Sequence, residues 1–255
     1  MAKKNNLNEL LNQGQSLITK KEFDKALLVY EEIIKIDSLN PQALTRLPII
    51  YLMKERYKDS IDMINRSFKI VKPAIGDYQN LASAYLALKE YDNAINSYEK
   101  VVKINPNSSE IYKILGDTQM KIADYQGAVD SYHHALKLNP GQFQQLFDYG
   151  GSLLYTNKTM EGLGVLKEAL KIKPHHLECM NKIASSLSTV QDYKASKEMY
   201  QKLMVIVPDT LSPIIGYAAC LMFEGKYDES IKLLEMGLVK KPDNIGVRSN
   251  LSLLY

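Results

Sequence analysis

The sequence has no tryptophan, only two cysteines and no apolar run long enough to cross a bilayer. Each shortage excludes a class of protein. Cys179 and Cys220 stand 41 residues apart with no CxxC spacing, which rules out a disulfide scaffold and suits a reducing compartment. The longest apolar stretch, Leu211 to Phe223, has 13 residues and is interrupted by Pro213 and Gly216. The start has basic Lys3 and Lys4 but no apolar run behind them, so it does not read as a secretory signal. Charge of one sign is also missing: 32 basic residues face 29 acidic ones, a net +3. That balance is too even for nucleic acid or an acidic membrane surface to be the main partner. A soluble cytoplasmic protein is expected, with no membrane insertion and no nucleic-acid partner.

Motifs for chemistry are absent too. There is no P-loop, GxGxxG, HExxH or GxSxG. Gly162-Leu163-Gly164 is only a GxG inside a helical pattern. His133-His134 and His175-His176 are doublets, and neighbours on a helix point about 100° apart, so neither doublet can easily chelate one ion. A solvated surface is the expectation for both. No catalytic residue, cofactor or metal is assigned, and the chain is expected not to be an enzyme.

What is present is a period. Pro106, Pro140, Pro174, Pro208 and Pro242 are each 34 residues apart. Phe23, Tyr57, Tyr91, Tyr125, Tyr193 and Tyr227 share a second register, with Thr159 in the gap. Small residues fill a third (Ala26, Ser60, Ala94, Ala128, Gly162, Ser196, Ser230). A fourth (Gly14, Pro48, Ala82, Gly116, Gly150, Ala184, Ala218, Ser252) is small everywhere but at Pro48. Within residues 75–108, Tyr78, Leu81, Ala82 and Tyr85 recur at helical spacing, and so do Tyr91, Ala94, Ile95, Tyr98, Val101 and Val102. Proline then ends the second helix, because it lacks an N–H and moves the preceding residue out of the α region. Each unit is therefore helix, turn, helix, turn. The paired small residues mark the crossing of the two helices.

Tyr78, Leu81, Ala82, Tyr85, Ala94, Tyr98, Val101 and Pro106 resemble, in order, the pattern of the tetratricopeptide repeat (TPR). The resemblance implies an all-α, right-handed superhelical solenoid of about seven and a half repeats. Residues 1–6 are an N-terminal extension. The repeats are 7–40, 41–74, 75–108, 109–142, 143–176, 177–210 and 211–244, and residues 245–255 form the first helix of an incomplete eighth. Two units depart from the pattern. Repeat two has Pro48 inside its first helix and its last proline one place late, at Pro73, so that helix should be distorted. Repeat five carries Gly150, Gly151, Gly162 and Gly164 and should be the softest unit.

The resemblance also implies a concave groove lined by first helices, at the second, fifth, sixth, ninth, twelfth and thirteenth places of each unit. Charges there fall only at Arg46, Glu110, Lys113, Asp117, Lys121, Asp148, Glu178 and Lys182, four of each sign. Apolar groove residues cluster as Met120, Phe147, Leu154 and Tyr155, and as Ile215, Met222 and Phe223. These face away from the core registers and form candidate patches for a peptide or protein segment. At the sixth place Asn12, Asn80 and Asn250 make a broken asparagine ladder of the kind some family members use on peptide backbones. On the last helix Leu251, Leu254 and Tyr255 repeat the inward pattern with no second helix to cover them, which makes them candidates for a homodimer interface. The expected function is a non-catalytic module for protein–protein interaction. The alternative draws on the ending Ser249 to Tyr255, which looks like the last repeats before a glycosyltransferase or sulfotransferase domain. On that view the chain is the substrate-recruiting arm of a larger enzyme, with the catalytic domain beyond residue 255.

Overall fold

The computed structural model describes residues 2–255, with side chains from residue 6 onward. Among the described residues there are fifteen α-helices and no strand. The chain divides into two compact units, one ending at Ala123 and one starting at Asp124.

The first unit contains α1 (Ala2–Thr19), α2 (Phe23–Ile36), α3 (Pro41–Met53), α4 (Tyr57–Ser67), α5 (Ile75–Ala87), α6 (Tyr91–Ile104) and α7 (Ser109–Lys121). The second contains α8 (Tyr125–Leu138), α9 (Phe143–Tyr155), α10 (Thr159–Ile172), α11 (Leu177–Thr189), α12 (Tyr193–Ile206), α13 (Ser212–Phe223), α14 (Tyr227–Lys240) and α15 (Ile245–Ser252). Even-numbered helices are the second helices of their pairs, and they begin 34 residues apart, on the aromatic register. The residues expected as an N-terminal extension are helical where they are described. From Ala2 on they belong to α1, while Met1 lies outside the described residues.

No helix pair encloses a core of its own. Burial is achieved between neighbours, in clusters that repeat along each unit. In the first unit Tyr30, Ile33, Leu44, Leu47 and Ile50 join α2 to α3. Ala82, Tyr98, Val101, Ile111 and Leu115 join α5, α6 and α7. In the second, Leu163, Leu166, Cys179, Ile183 and Leu187 join α10 to α11, and Met180, Ala184, Tyr200, Leu203 and Cys220 join α11, α12 and α13.

The small-residue registers meet at the helix crossings. Where serine occupies the second-helix place, its hydroxyl donates to the carbonyl twelve residues earlier: Ser60 to Pro48 (3.0 Å), Ser196 to Ala184 (2.7 Å) and Ser230 to Ala218 (3.0 Å). The serines are fully buried, so the bond also answers the cost of burying a hydroxyl.

The turn inside each pair has a period that the sequence does not display. Lys21, Glu55, Lys89, Ala123, Asn157 and Gln191 all have φ near +60°, and Gly225 follows at +76°. These seven positions are again 34 apart. Six first helices close with the N–H of the next residue returning to a carbonyl five residues back, as from Glu22 to Leu17 (2.9 Å) and from Arg56 to Tyr51 (2.8 Å). That bond requires one left-handed residue at the helix end, usually glycine. Only Gly225 and Asn157 are residue types that suit it.

Repeat two corrects the sequence reading. α3 runs unbroken through Pro48. The irregularity falls instead on α4, which has 11 residues where the other second helices have 14. In repeat five the glycines bring the helices together, as the crossing geometry shows. A Cβ on Gly162 would lie 2.8 Å from the Gly150 carbonyl oxygen, and one on Gly150 would lie 2.8 Å from Leu166 Cγ. Gly151 and Gly164 have nothing within 4 Å of such a Cβ.

Candidate interaction faces

The sequence placed its candidates on the first helices, and the two units hold them differently. In the first unit Asn12 is exposed, while Asn80 and Met120 are half-buried. The amides Gln15 and Gln42 and the guanidinium of Arg46 are exposed on the same helices, with Ile49 and Met53 beside them. Farther along, Lys113 is paired within α7 to Asp117 (2.6 Å), and the Lys121 ammonium sits 6.0 Å from the centre of the Tyr91 ring.

In the second unit two aromatic pairs stand out. Tyr155 stacks on Tyr125 with ring centres 4.7 Å apart and planes 12° apart. Phe223 stacks on Tyr193 at 5.7 Å and 9°. In both cases the residue ending a first helix lies flat on the aromatic that opens the preceding second helix. The outer ring stays exposed, 55% for Tyr155 and 68% for Phe223. An aromatic side chain already fixed by stacking loses little freedom when a ligand lands on it.

Phe147 does not join that surface. It is 8% exposed, stacked on Phe143 (5.8 Å) and flanked by His176 (5.2 Å). Ordinary core packing accounts for it after all, because the loop before α11 folds over this place. His176 is itself no bare surface residue: its Nδ1 accepts the Cys179 N–H at 3.2 Å and caps α11. His133, His134 and His175 are exposed. Leu154 is half-buried against the same cluster as Phe147. Ile215 packs on the last cluster, and Met222 is half-buried beside Phe223.

The last helix is also less bare than its sequence implied. Leu251 is 7% exposed, buried with Leu211, Ile214, Leu234 and Val247, and Leu254 packs against that cluster. Their stripe is turned onto α13 and α14, so these two leucines are not available as a self-association surface. Only Tyr255 of the three is exposed, its hydroxyl 3.3 Å from Glu235. Asn250, half-buried, donates to the Gly246 carbonyl (2.8 Å).

Two features of the second unit escaped the sequence reading. The outer faces of α12 and α14 expose Val205 (81%), Met236 (61%) and Val239 (84%). A signal was available: Lys35, Lys69, Lys103, Lys137 and Lys171 hold the register that Val205 and Val239 then occupy. The second feature is Tyr200, whose ring lies against the backbone of Gly216. A Cβ there would fall 2.2 Å from Tyr200 Cζ and 2.6 Å from its hydroxyl oxygen.

The remaining chemistry is quiet. Burial pushes the Cys179 thiol up to about 11, so it stays protonated at neutral pH, with its sulfur 3.4 Å from the Leu166 carbonyl. Among the described residues no group of three or more His, Cys, Asp or Glu is placed to hold a metal ion. No described helix is long and apolar enough to cross a membrane.

Comparison with known proteins agrees with this architecture. The tetratricopeptide repeat family model matches residues 78–108. No curated protein matches the chain. Among solved structures, the C-terminal part of a TPR repeat-containing protein from Cytophaga hutchinsonii superposes with a TM-score of 0.70 at 14% identity, over 94% of this chain and 99% of that one. YrrB, described as a TPR protein with an unusual peptide-binding site, gives 0.59 at 20% identity, over 70% and 96%. A chain in the structure of Naa15/Naa10 bound to HypK-THB gives 0.68 at 18%, over 98% of this chain and 39% of that one. The tetratricopeptide repeat pattern is thus matched at residues 78–108, and the helix-pair fold of these solved structures extends through the described residues.

Proposed function

We propose that the chain is a non-catalytic interaction module that binds a peptide or protein segment on the first-helix face of its repeats. The observation that carries this reading is the pair of aromatic stacks, Tyr125–Tyr155 and Tyr193–Phe223, each presenting an exposed ring held in place by the ring beneath it. Exposed single apolar residues are ordinary. Two pre-stacked rings in the same register, two repeats apart, are what an anchor site for apolar side chains requires. The charges of this face are mostly spent within their own helices, as in Lys113–Asp117 and Gln144–Asp148 (2.9 Å), so affinity comes from apolar anchoring and backbone hydrogen bonds rather than from net charge. The description of YrrB as having a peptide-binding site fits the same use of the fold.

The test is to select binders from a randomised peptide library displayed on phage, using the full chain as bait. The selected peptides are then titrated against wild type and against Tyr155→Ser with Phe223→Ser. Affinity that falls at least tenfold in the double variant supports the reading. A library that yields no binder, or binders indifferent to both rings, contradicts it.

A further inference from the structure

The Tyr200 hydroxyl lies where a groove side chain would otherwise be. Tyr200 is 5% exposed, in a cluster with Met180, Ala184, Leu203 and Cys220. Its hydroxyl has no hydrogen-bond partner among the described residues. The oxygen itself is not shut off from solvent, so it can take a partner from outside the chain. The ring is aimed at Gly216, at the sixth place of its unit, one of the places that line the first-helix face. Gly216 remains half-exposed, and the hydroxyl oxygen lies 2.6 Å from where its Cβ would stand. Glycine at this place thus leaves a gap that the hydroxyl fills from below. A side chain there would meet the far end of the Tyr200 ring unless that ring shifted. Burial, reinforced by Cys220, raises the phenol to about 12, so the group is a neutral donor at physiological pH.

The rest of α13 supplies a track leading from that donor. Gly216, Ala219 and Phe223 stand at i, i+3 and i+7 on one stripe of the helix. Seven residues of helix rise roughly 10 Å, the span of about three residues of extended chain. Ala219, half-buried, stands between Gly216 and Phe223 on that stripe. Lys182 and Asn250 flank Gly216 at the same place of the neighbouring repeats.

We infer that Tyr200 and Gly216 form a main-chain subsite for an extended peptide. The Tyr200 O–H donates to a peptide carbonyl, and an apolar side chain about three residues away lies on the Phe223–Tyr193 stack. This rests on the peptide-binding reading above and gives it a register. The ligand class is a neutral extended segment with one apolar or aromatic anchor. Specificity for sequence resides in the anchor, because every peptide carries the carbonyl.

The experiment uses the full chain and the library-selected peptides. Affinities are measured by fluorescence anisotropy for wild type, Tyr200→Phe, Phe223→Ser and the double variant, each with its melting temperature. Tyr200→Phe removes one oxygen that has no partner in the free chain, so the melting temperature should hold. Peptide affinity should fall roughly three- to tenfold. Phe223→Ser, at an exposed site, should also fold normally, and it should abolish the dependence on one apolar peptide residue in an alanine scan of the peptide. Unchanged affinity in Tyr200→Phe, with loss in Phe223→Ser, would overturn the subsite and leave the peptide-binding function standing. Binders indifferent to both substitutions and to Tyr155→Ser would overturn both.

Discussion

Repeats two and five each contain residues that a helix interior ordinarily excludes, and they accommodate them in opposite ways. In repeat two Pro48 sits within α3, and the Ser60 hydroxyl crosses from α4 to its carbonyl at 3.0 Å. The helix continues, and α4 is the one that ends three residues short of its counterparts. In repeat five the glycines divide into two kinds on the same two helices. Gly150 and Gly162 sit at the crossing, where a Cβ on either would approach the other's carbonyl oxygen to 3.2 and 2.8 Å. A Cβ on Gly151 or Gly164 would meet nothing within 4 Å. Composition alone marks all four as softening. Their positions make two of them tight contacts and leave only two as sources of weakness.

The largest expected effect breaks the close crossing. Gly162→Val should destabilise the chain by about 3 kcal/mol, because the Gly150 backbone cannot step aside as a flexible side chain would. Hydrogen exchange in α9 and α10 would report it, and unchanged protection there would show that the contact is not tight. Next, Pro48→Ala should stabilise by about 2 kcal/mol, restoring an N–H to the interior of α3. A lower urea midpoint would mean that the proline fits its place. Gly225→Ala should then cost about 1 kcal/mol at φ +76°, while Glu55→Gly should gain about as much at +58°. Opposite signs in thermal melts would confirm a left-handed place shared by all repeats. The smallest effect is Gly164→Ala, a gain of roughly 0.5–1 kcal/mol, since an exposed helical glycine with free space gains from a methyl. A loss there would erase the distinction between the two kinds of glycine.

Much of this was legible because a repeat shows itself many times. Small residues at Ala82 and Ala94, the aromatic at Tyr91 and the stop at Pro106 fix two helices and a crossing, and the 34-residue period carries them along the chain. The left-handed turn was illegible because Lys21, Glu55, Ala123 and Gln191 have no preference for that conformation; the bond pattern imposes it. Face assignments failed where a neighbour decides burial. Phe147 has the register of a groove residue, but His176, arriving from the following loop, covers it. Leu251 reads as bare when only its own helix is considered, yet α13 and α14 bury it. Tyr200 and Gly216 lie in different registers, and nothing in either suggests that one ring fills the other's missing side chain.

The claim that matters most is that the first-helix face of the second unit is the binding surface. Methyl-labelled full chain, carrying labels on Ile, Val, Ala and Met, should be titrated with a library-selected peptide and followed by NMR. The account predicts shifts concentrated at Ile215, Ala219 and Met222, with Val205, Met236 and Val239 unmoved. Shifts confined to those last three would place binding on the outer faces of α12 and α14 and contradict it.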